Sequence, residues 1–347
     1  MDAAVQTRLQ TALREVDKGL SILQQRSGKS GLDSTPALDI LRKDYLGIIS
    51  LIYSYTTRLW IALGKQPPTP SAAGPTLEEL TKHTSSLYGC VLAFGATHGK
   101  AFSDEVEQGA LGILQSMSAL FREYSSAKNG GESMQMTASV HEACDKARNL
   151  SIDSREAVLK RWKVDSESLK DAIKEVYNLL DQDNEEDAED GWDELVDADD
   201  MVDQSLSEQD RMVVKKVATV LEKLSAFRKH FQKTLLAGNS PLRLTPSTYD
   251  QYLEATQVEI PLIDEIVGCL DPPMEVEALK THLMELSKSL EALLRTLETD
   301  PDTMTRTMES IKLDADPEGD PIGSRPRADI SNLEAKIRDV VLTIQSI

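Results

Sequence analysis

"YLGIISLIYSYTTRLWIALG", Tyr45 to Gly64, is the most apolar stretch of the chain. A membrane span needs ~20 predominantly apolar residues. This stretch has the length, but it carries Ser50, Ser54, Thr56, Thr57 and Arg58. Those groups are costly in hydrocarbon. The stretch therefore reads as a helix of a bundle, and the remaining segments are read as its partners.

Upstream, Val5, Leu9, Leu13, Val16, Leu20 and Leu23 step by three or four and line one face of a helix from Asp2 to Gln25. "SGKSGLDS" (27–34) interrupts it. Thr35 is positioned to cap the next helix, with Pro36 at its first position, where a missing N–H costs nothing. That helix is expected to run to about Lys65, and "QPPTPSAAGP" (66–75) reads as a Pro-rich connection. Thr76 and Glu79 form a capping box for a third helix. A fourth covers "SDEVEQGALGILQSMSALFREYSSAK" and stops at "NGG". Gly89, Gly95, Gly109 and Gly112 fall inside these two. Each weakens a helix by ~1 kcal/mol relative to Ala, and close approach of two backbones is the expected compensation.

Downstream, helices are expected from Met134 to Asn149 and from Ser154 to Leu180. After an acidic segment, Ser207 with Asp210 caps a seventh. Pro246 opens an eighth, to about Leu270. "DPPM" (271–274) turns the chain into a ninth, ending near Thr299. A short helix follows Pro301, "DADPEGDPIGSRPRAD" is a loop, and Ser331 with Glu334 boxes a final helix. No segment alternates as a strand between hairpin turns, and no fixed-period repeat is visible. The expected fold is all-α: two antiparallel helical bundles, residues 1–180 and 207–347, joined by an acidic linker at 181–206.

The net charge is −20. Asp181 to Asp210 holds fifteen acidic residues and no Lys or Arg, leaving only −5 for the rest of the chain. Such a field disfavours nucleic acid and anionic lipid near that segment. Cys90, Cys144 and Cys269 are scattered and odd in number, as expected in a reducing compartment. "MDAAVQTRLQ" has neither a basic nor an apolar signal region.

Catalytic and metal motifs are weak. "GKS" at Gly28–Ser30 has Leu23 where a phosphate loop needs its first glycine, and a helix rather than a strand precedes it. His141 and Cys144 share a helix face, but two ligands do not make a zinc site; a half-buried His beside a core Cys is the simpler reading. The acidic segment has Glu186 where a calcium loop turns on glycine. No cofactor is expected, and a helical enzyme remains only as a lesser alternative. Its signature would be convergent His, Glu and Asp side chains inside one bundle.

Two further rows need a reading. Lys215, Lys216, Lys223, Arg228, Lys229 and Lys233 make the seventh helix basic; ordinary solvated surface is expected, with no direct contact to nucleic acid. Leu279, Leu283, Leu286, Leu290, Leu293 and Leu297 alternate steps of four and three. The row is short for a free coiled coil, so a buried bundle face, and a monomer in isolation, are expected. In the acidic segment Trp192, Leu195 and Val196 are the candidate partner contacts: apolar groups within like charge dress a short helix that folds on a partner. The alternative is that Trp192 docks on this chain's own bundle. Ser205 and Ser207 lie in acidic contexts that attract phosphorylation, although capping accounts for Ser207 equally well.

The order of parts is also informative. "VHEACDKARNLSIDSREAVLKRWKVDSESLKDAIKEV" gives a short helix with a Cys, a loop and a long amphipathic helix. The acidic segment with its Trp follows, and "VEIPLIDEIVGCLDPPMEVEALKTHLMEL" sets Pro272, Pro273 and Met274 between two helices. From about Met134 to Leu297 this resembles the cyclin-D-binding protein family, also called GCIP or Maid proteins. The resemblance implies a two-domain helical protein without catalysis, its N-terminal bundle of four to five helices similar to vinculin and α-catenin bundles. It also implies binding to D-type cyclins and an adaptor protein, and negative regulation of cell cycle and transcription in cytoplasm and nucleus. A vinculin-like cytoskeletal or adhesion adaptor is the alternative that the bundle similarity alone suggests.

Overall fold

The computed structural model describes residues 2–25, 36–64, 68–126, 132–182, 206–236, 244–299 and 335. Every regular element among them is helical. The chain is all-α and forms two compact units, Met1–Ala157 and Val158–Ile347.

The first unit contains α1 (Ala3–Gln24), α2 (Leu38–Leu63), α3 (Pro70–Ala93), α4 (Lys100–Ser125) and α5 (Ser133–Arg148). Their neighbours form a closed ring: α1 packs on α3, α3 on α2, α2 on α5, α5 on α4, and α4 back on α1. Fully buried Leu9, Val16, Ile49, Leu77, Leu87, Ile113, Met117 and Val140 fill the interior. Aliphatic burial of this kind is the main stabilising force of such a bundle. Tyr45 is fully buried in this core; its hydroxyl donates to the Val106 carbonyl at 3.0 Å, and burial pushes its pKa well above the ordinary tyrosine value, so the hydroxyl stays protonated.

Two helix starts differ from expectation. The helix α2 begins at Leu38 with Ala37 as its cap residue, not at Pro36, whose carbonyl instead lies 3.2 Å from the His98 ring. Thr35 lies outside the described residues. The helix α3 begins at Pro70, six residues before the expected cap, with Pro75 inside it. Pro70 sits in the first turn, where its missing N–H breaks no bond. Thr76 is thus interior, and its hydroxyl donates to the Ala72 carbonyl at 2.8 Å.

The glycine expectation splits. At Gly109, in α4, a Cβ would lie 2.7 Å from the Tyr45 hydroxyl and 3.1 Å from the Ala147 Cβ, so close approach of α2 and α5 explains it. At Gly89 and Gly112 a Cβ would meet nothing within 4 Å, and backbone contact does not account for them. Gly95 lies in the connection after α3. Gly109→Ala is expected to destabilise the chain by about 1–3 kcal/mol, because Tyr45 is locked by its own hydrogen bond and cannot yield. Gly112→Ala is expected to be neutral or stabilising. Thermal denaturation of the two variants checks the contrast.

The second unit holds most of α6 (Ser154–Gln182), then α7 (Glu208–Phe231) with a π-turn at Gln232–Leu236, α8 (Pro246–Thr256), α9 (Glu259–Gly268) and α10 (Val276–Thr299). The division falls at 157/158 rather than at 180, because α6 puts its apolar face on α7. Trp162 meets Arg228 and Phe231, while Tyr177 reaches Glu222, the order of antiparallel helices. Ser207 caps α7 as expected, accepting from the Asp210 N–H at 3.1 Å.

The helix expected from Pro246 to Leu270 is broken into α8 and α9 at Gln257–Val258. Pro261 is the reason: it has no N–H, and its ring excludes the carbonyl four residues back. In α10, Leu279, Leu283, Leu286, Leu290 and Leu293 are all fully buried. Those leucines are a bundle face, and Ser289 beside them donates to the Ala255 carbonyl of α8 at 2.9 Å. The short helix after Pro301, the 314–329 loop and the final helix read at Ser331 lie outside the described residues, Ala335 apart.

Candidate interaction surface

The outer side of α2 follows from its sequence. Leu41, Tyr45, Ile49, Ile52, Thr56 and Leu59 occupy its inner face and are buried. Ile40, Leu51 and Ile61 fall on the opposite face and are 53%, 42% and 49% exposed. Among the described residues α2 is the helix long and apolar enough, by length and composition, to cross a membrane; 33% of that apolar window is buried in the fold. The bundle reading of Tyr45–Gly64 accounts for the inner face and leaves the outer one over.

Beside this ridge lies an open groove of about 550 Å³, lined by Leu38, Asp39, Arg42, Lys43, Leu46 and Ile152. Its wall is fixed by Arg42, whose guanidinium donates to the carbonyls of Ser151 (3.1 Å) and Leu150 (3.3 Å). Those bonds hold the turn between α5 and α6, which presents Ile152 to solvent at 66% exposure. The groove is apolar with charged rims, chemistry that suits an amphipathic helix rather than a reacting small molecule.

His141 packs where it was expected, half-buried next to fully buried Cys144. Its ring stacks on Tyr53 at 3.8 Å and lies 3.1 Å from the Thr57 hydroxyl. Burial lowers its pKa and raises that of Cys144 to about 12, so neither is a charged group at neutral pH. Among the described residues no three or more His, Cys, Asp or Glu side chains are grouped to hold a metal ion.

The second unit contains a polar cluster that sequence reading missed. Arg228, read as solvated surface, is 0% exposed. Its guanidinium carbon lies 4.2 Å over the Trp162 ring. One nitrogen donates to Glu259 at 2.6 Å, also fully buried, and the other lies 3.6 Å from Asp165. The Trp162 N–H donates to the Arg228 carbonyl at 3.2 Å. The signal was present: Arg228 follows Val217, Leu221 and Leu224 at helical spacing and lies next to Phe227, on the apolar side of α7. Lys215, Lys229 and Lys233 are exposed as expected.

Asp165 is also paired with Arg161 at 3.2 Å, whereas Glu259 has Arg228 alone. Burial pushes the Glu259 carboxyl up to about 7, against the lowering effect of Arg228. A folded value above the unfolded one means the native state binds the extra proton. The contribution of this group is therefore complete below the ordinary value of 4.5 and is lost as pH rises through about 7. The denaturation midpoint of the second unit is expected to fall from about pH 5 to about pH 8, and Glu259→Gln should flatten that slope.

Trp192, Leu195 and Val196, and the Gly28–Ser30 motif, lie outside the described residues. Nor is Ser205 within them.

An all-α chain whose first unit is a closed ring of helices with an apolar groove on its rim belongs to the class of helical-bundle proteins. Residues 46–182, from α2 through α6, match the family model described as "Grap2 and cyclin-D-interacting, N-terminal". Over that region the chain is similar to the Grap2 and cyclin-D-interacting family. The matched region begins well before the resemblance read from sequence at Met134 and ends before Pro272-Pro273-Met274. No curated protein sequence matches the chain.

Proposed function

We propose that this chain is a non-enzymatic regulatory protein that acts by binding other proteins, with a D-type cyclin or an adaptor of the Grap2 type as partner. The family match over 46–182 is the observation that carries this reading. The groove beside α2 straddles the start of that region, with Leu46 and Ile152 inside it and Leu38, Asp39, Arg42 and Lys43 just before it, and supplies a seat of the right chemistry for a partner helix. Arg42 is committed to the α5–α6 turn, so Leu46 and Ile152 provide the apolar contact while Asp39 and Lys43 select the partner's flanking charges. By the same reading the protein restrains cell-cycle and transcriptional programmes and works in cytoplasm and nucleus.

The test is titration of the purified full chain with a purified D-type cyclin, followed calorimetrically. Ile152→Glu is expected to weaken binding about tenfold or more, since it places a charge in a desolvated contact, while leaving the circular dichroism spectrum unchanged. Absence of binding to cyclin and adaptor alike would defeat the proposal.

A further inference from the structure

The ridge of α2 beside the groove has features that the fold of one chain does not explain. Its apolar content exceeds what the bundle buries. At Gly47, in the middle of the helix and on the ridge, a Cβ would meet nothing within 4 Å. Interior glycine weakens a helix by ~1 kcal/mol, and here no contact within the chain offsets that. Asp44 and Arg58 are exposed on the same ridge, and among the described residues neither has an ion-pair partner. Arg58 only leans over the Tyr55 ring, at 4.9 Å.

We propose that this ridge binds a second copy of the chain, with α2 packed antiparallel on α2 about a two-fold axis at Leu51. A two-fold contact must be complementary to itself, and the ridge meets that condition. About that axis Ile40 lies within one residue of the Ile61 position of the other copy, Gly47 within one residue of the Ser54 position, and the two Leu51 side chains meet at the centre; Lys43 lines the groove. Asp44 and Arg58 lie seven residues on either side of Leu51 and on the same flank of the ridge. Antiparallel packing therefore brings each Asp44 to the other copy's Arg58, twice by symmetry. The small residues at 47 and 54 let the two backbones approach, which gives Gly47 its role. Parallel packing would set Asp44 against Asp44 and Arg58 against Arg58. The row in α10 that reads as a short zipper takes no part, since its Leu279, Leu283, Leu286, Leu290 and Leu293 are buried.

The experiment is sedimentation equilibrium of the full chain as wild type, Asp44→Arg, Arg58→Asp and the double variant D44R/R58D. The altered side chains are exposed, so folding is expected to be unchanged and circular dichroism controls for it. The wild type should show a monomer–dimer equilibrium. Each single reversal should weaken it about tenfold or more, because the lost pair counts twice, and the double variant should restore it. Leu51→Cys should form an intermolecular disulfide under mild oxidation faster than the wild type does through its native cysteines. A wild type that stays monomeric at every soluble concentration overturns the proposal. So does a dimer indifferent to both reversals, or flotation with phosphatidylserine vesicles in place of self-association. Cyclin titration with Ile152→Glu reads the groove separately, so failure of one leaves the other standing.

Discussion

Replacing Arg228 with methionine is expected to destabilise the second unit by about 3–5 kcal/mol. That is the usual cost of removing one partner from a buried ion pair. The guanidinium is enclosed completely, between the Trp162 ring and the Glu259 carboxylate. Methionine fills much of the volume but leaves Glu259 without a counter-charge, while Asp165 keeps Arg161 at 3.2 Å. The Glu259 carboxyl then has only its neutral form available, so the loss should be larger at alkaline pH than at acid pH. Replacing Arg228 and Glu259 together, by Met and Leu, removes both charges and should recover most of the stability, as apolar replacement of buried pairs commonly does. Urea denaturation followed by far-ultraviolet circular dichroism distinguishes the variants. A single Arg228→Met variant as stable as the wild type would mean that the pair is not buried in solution.

Trp162→Ala carries a comparable expected loss, about 3–5 kcal/mol, from cavity formation and lost burial. The indole is fully buried, stacks on Phe231 at 4.6 Å with rings 14° apart, and lies beneath Arg228. Phe231 in turn meets Tyr252 edge-on at 5.3 Å, so the tryptophan supports three helices. Trp162→Phe should cost far less, since it keeps the stack and loses the N–H bond to the Arg228 carbonyl, roughly 1 kcal/mol. Combining Trp162→Ala with Arg228→Met should cost less than the separate losses added together, because the two side chains share one contact. A double variant whose loss is fully additive would show the cation–ring contact to be energetically empty.

The sequence made the helices legible and left the ionic anchor hidden. Helical spacing of Val5, Leu9 and Val16, or of Leu279 through Leu293, reports which face is apolar, and those faces are the buried ones. The break at Gln257 was legible in principle, because Pro261 cannot sit deep in a helix. Arg228 was not read correctly because a charge on a basic helix usually faces water. Only its position beside Phe227 and in step with Leu221 and Leu224 argued otherwise. Glu259 and Asp165 are distant in sequence, so no local pattern could pair them with it. Where the first compact unit ends was not legible for a related reason. The periodicity of α6 is continuous from Ser154 to Gln182 and does not say whose core receives Trp162. The groove was invisible because it depends on Arg42 reaching the carbonyls of the α5–α6 turn, more than a hundred residues away.

The ring of α1 to α5 has no outermost member. In an open row of helices an end rod touches one neighbour and can peel away alone. Here every rod is wedged between two others, so detaching any one of them opens two seams at once. Swapping or truncating a single rod is thus a poor route to regulating this unit. Control from outside must grip its rim, where the α5–α6 turn and the outer side of α2 stand clear of the wedge.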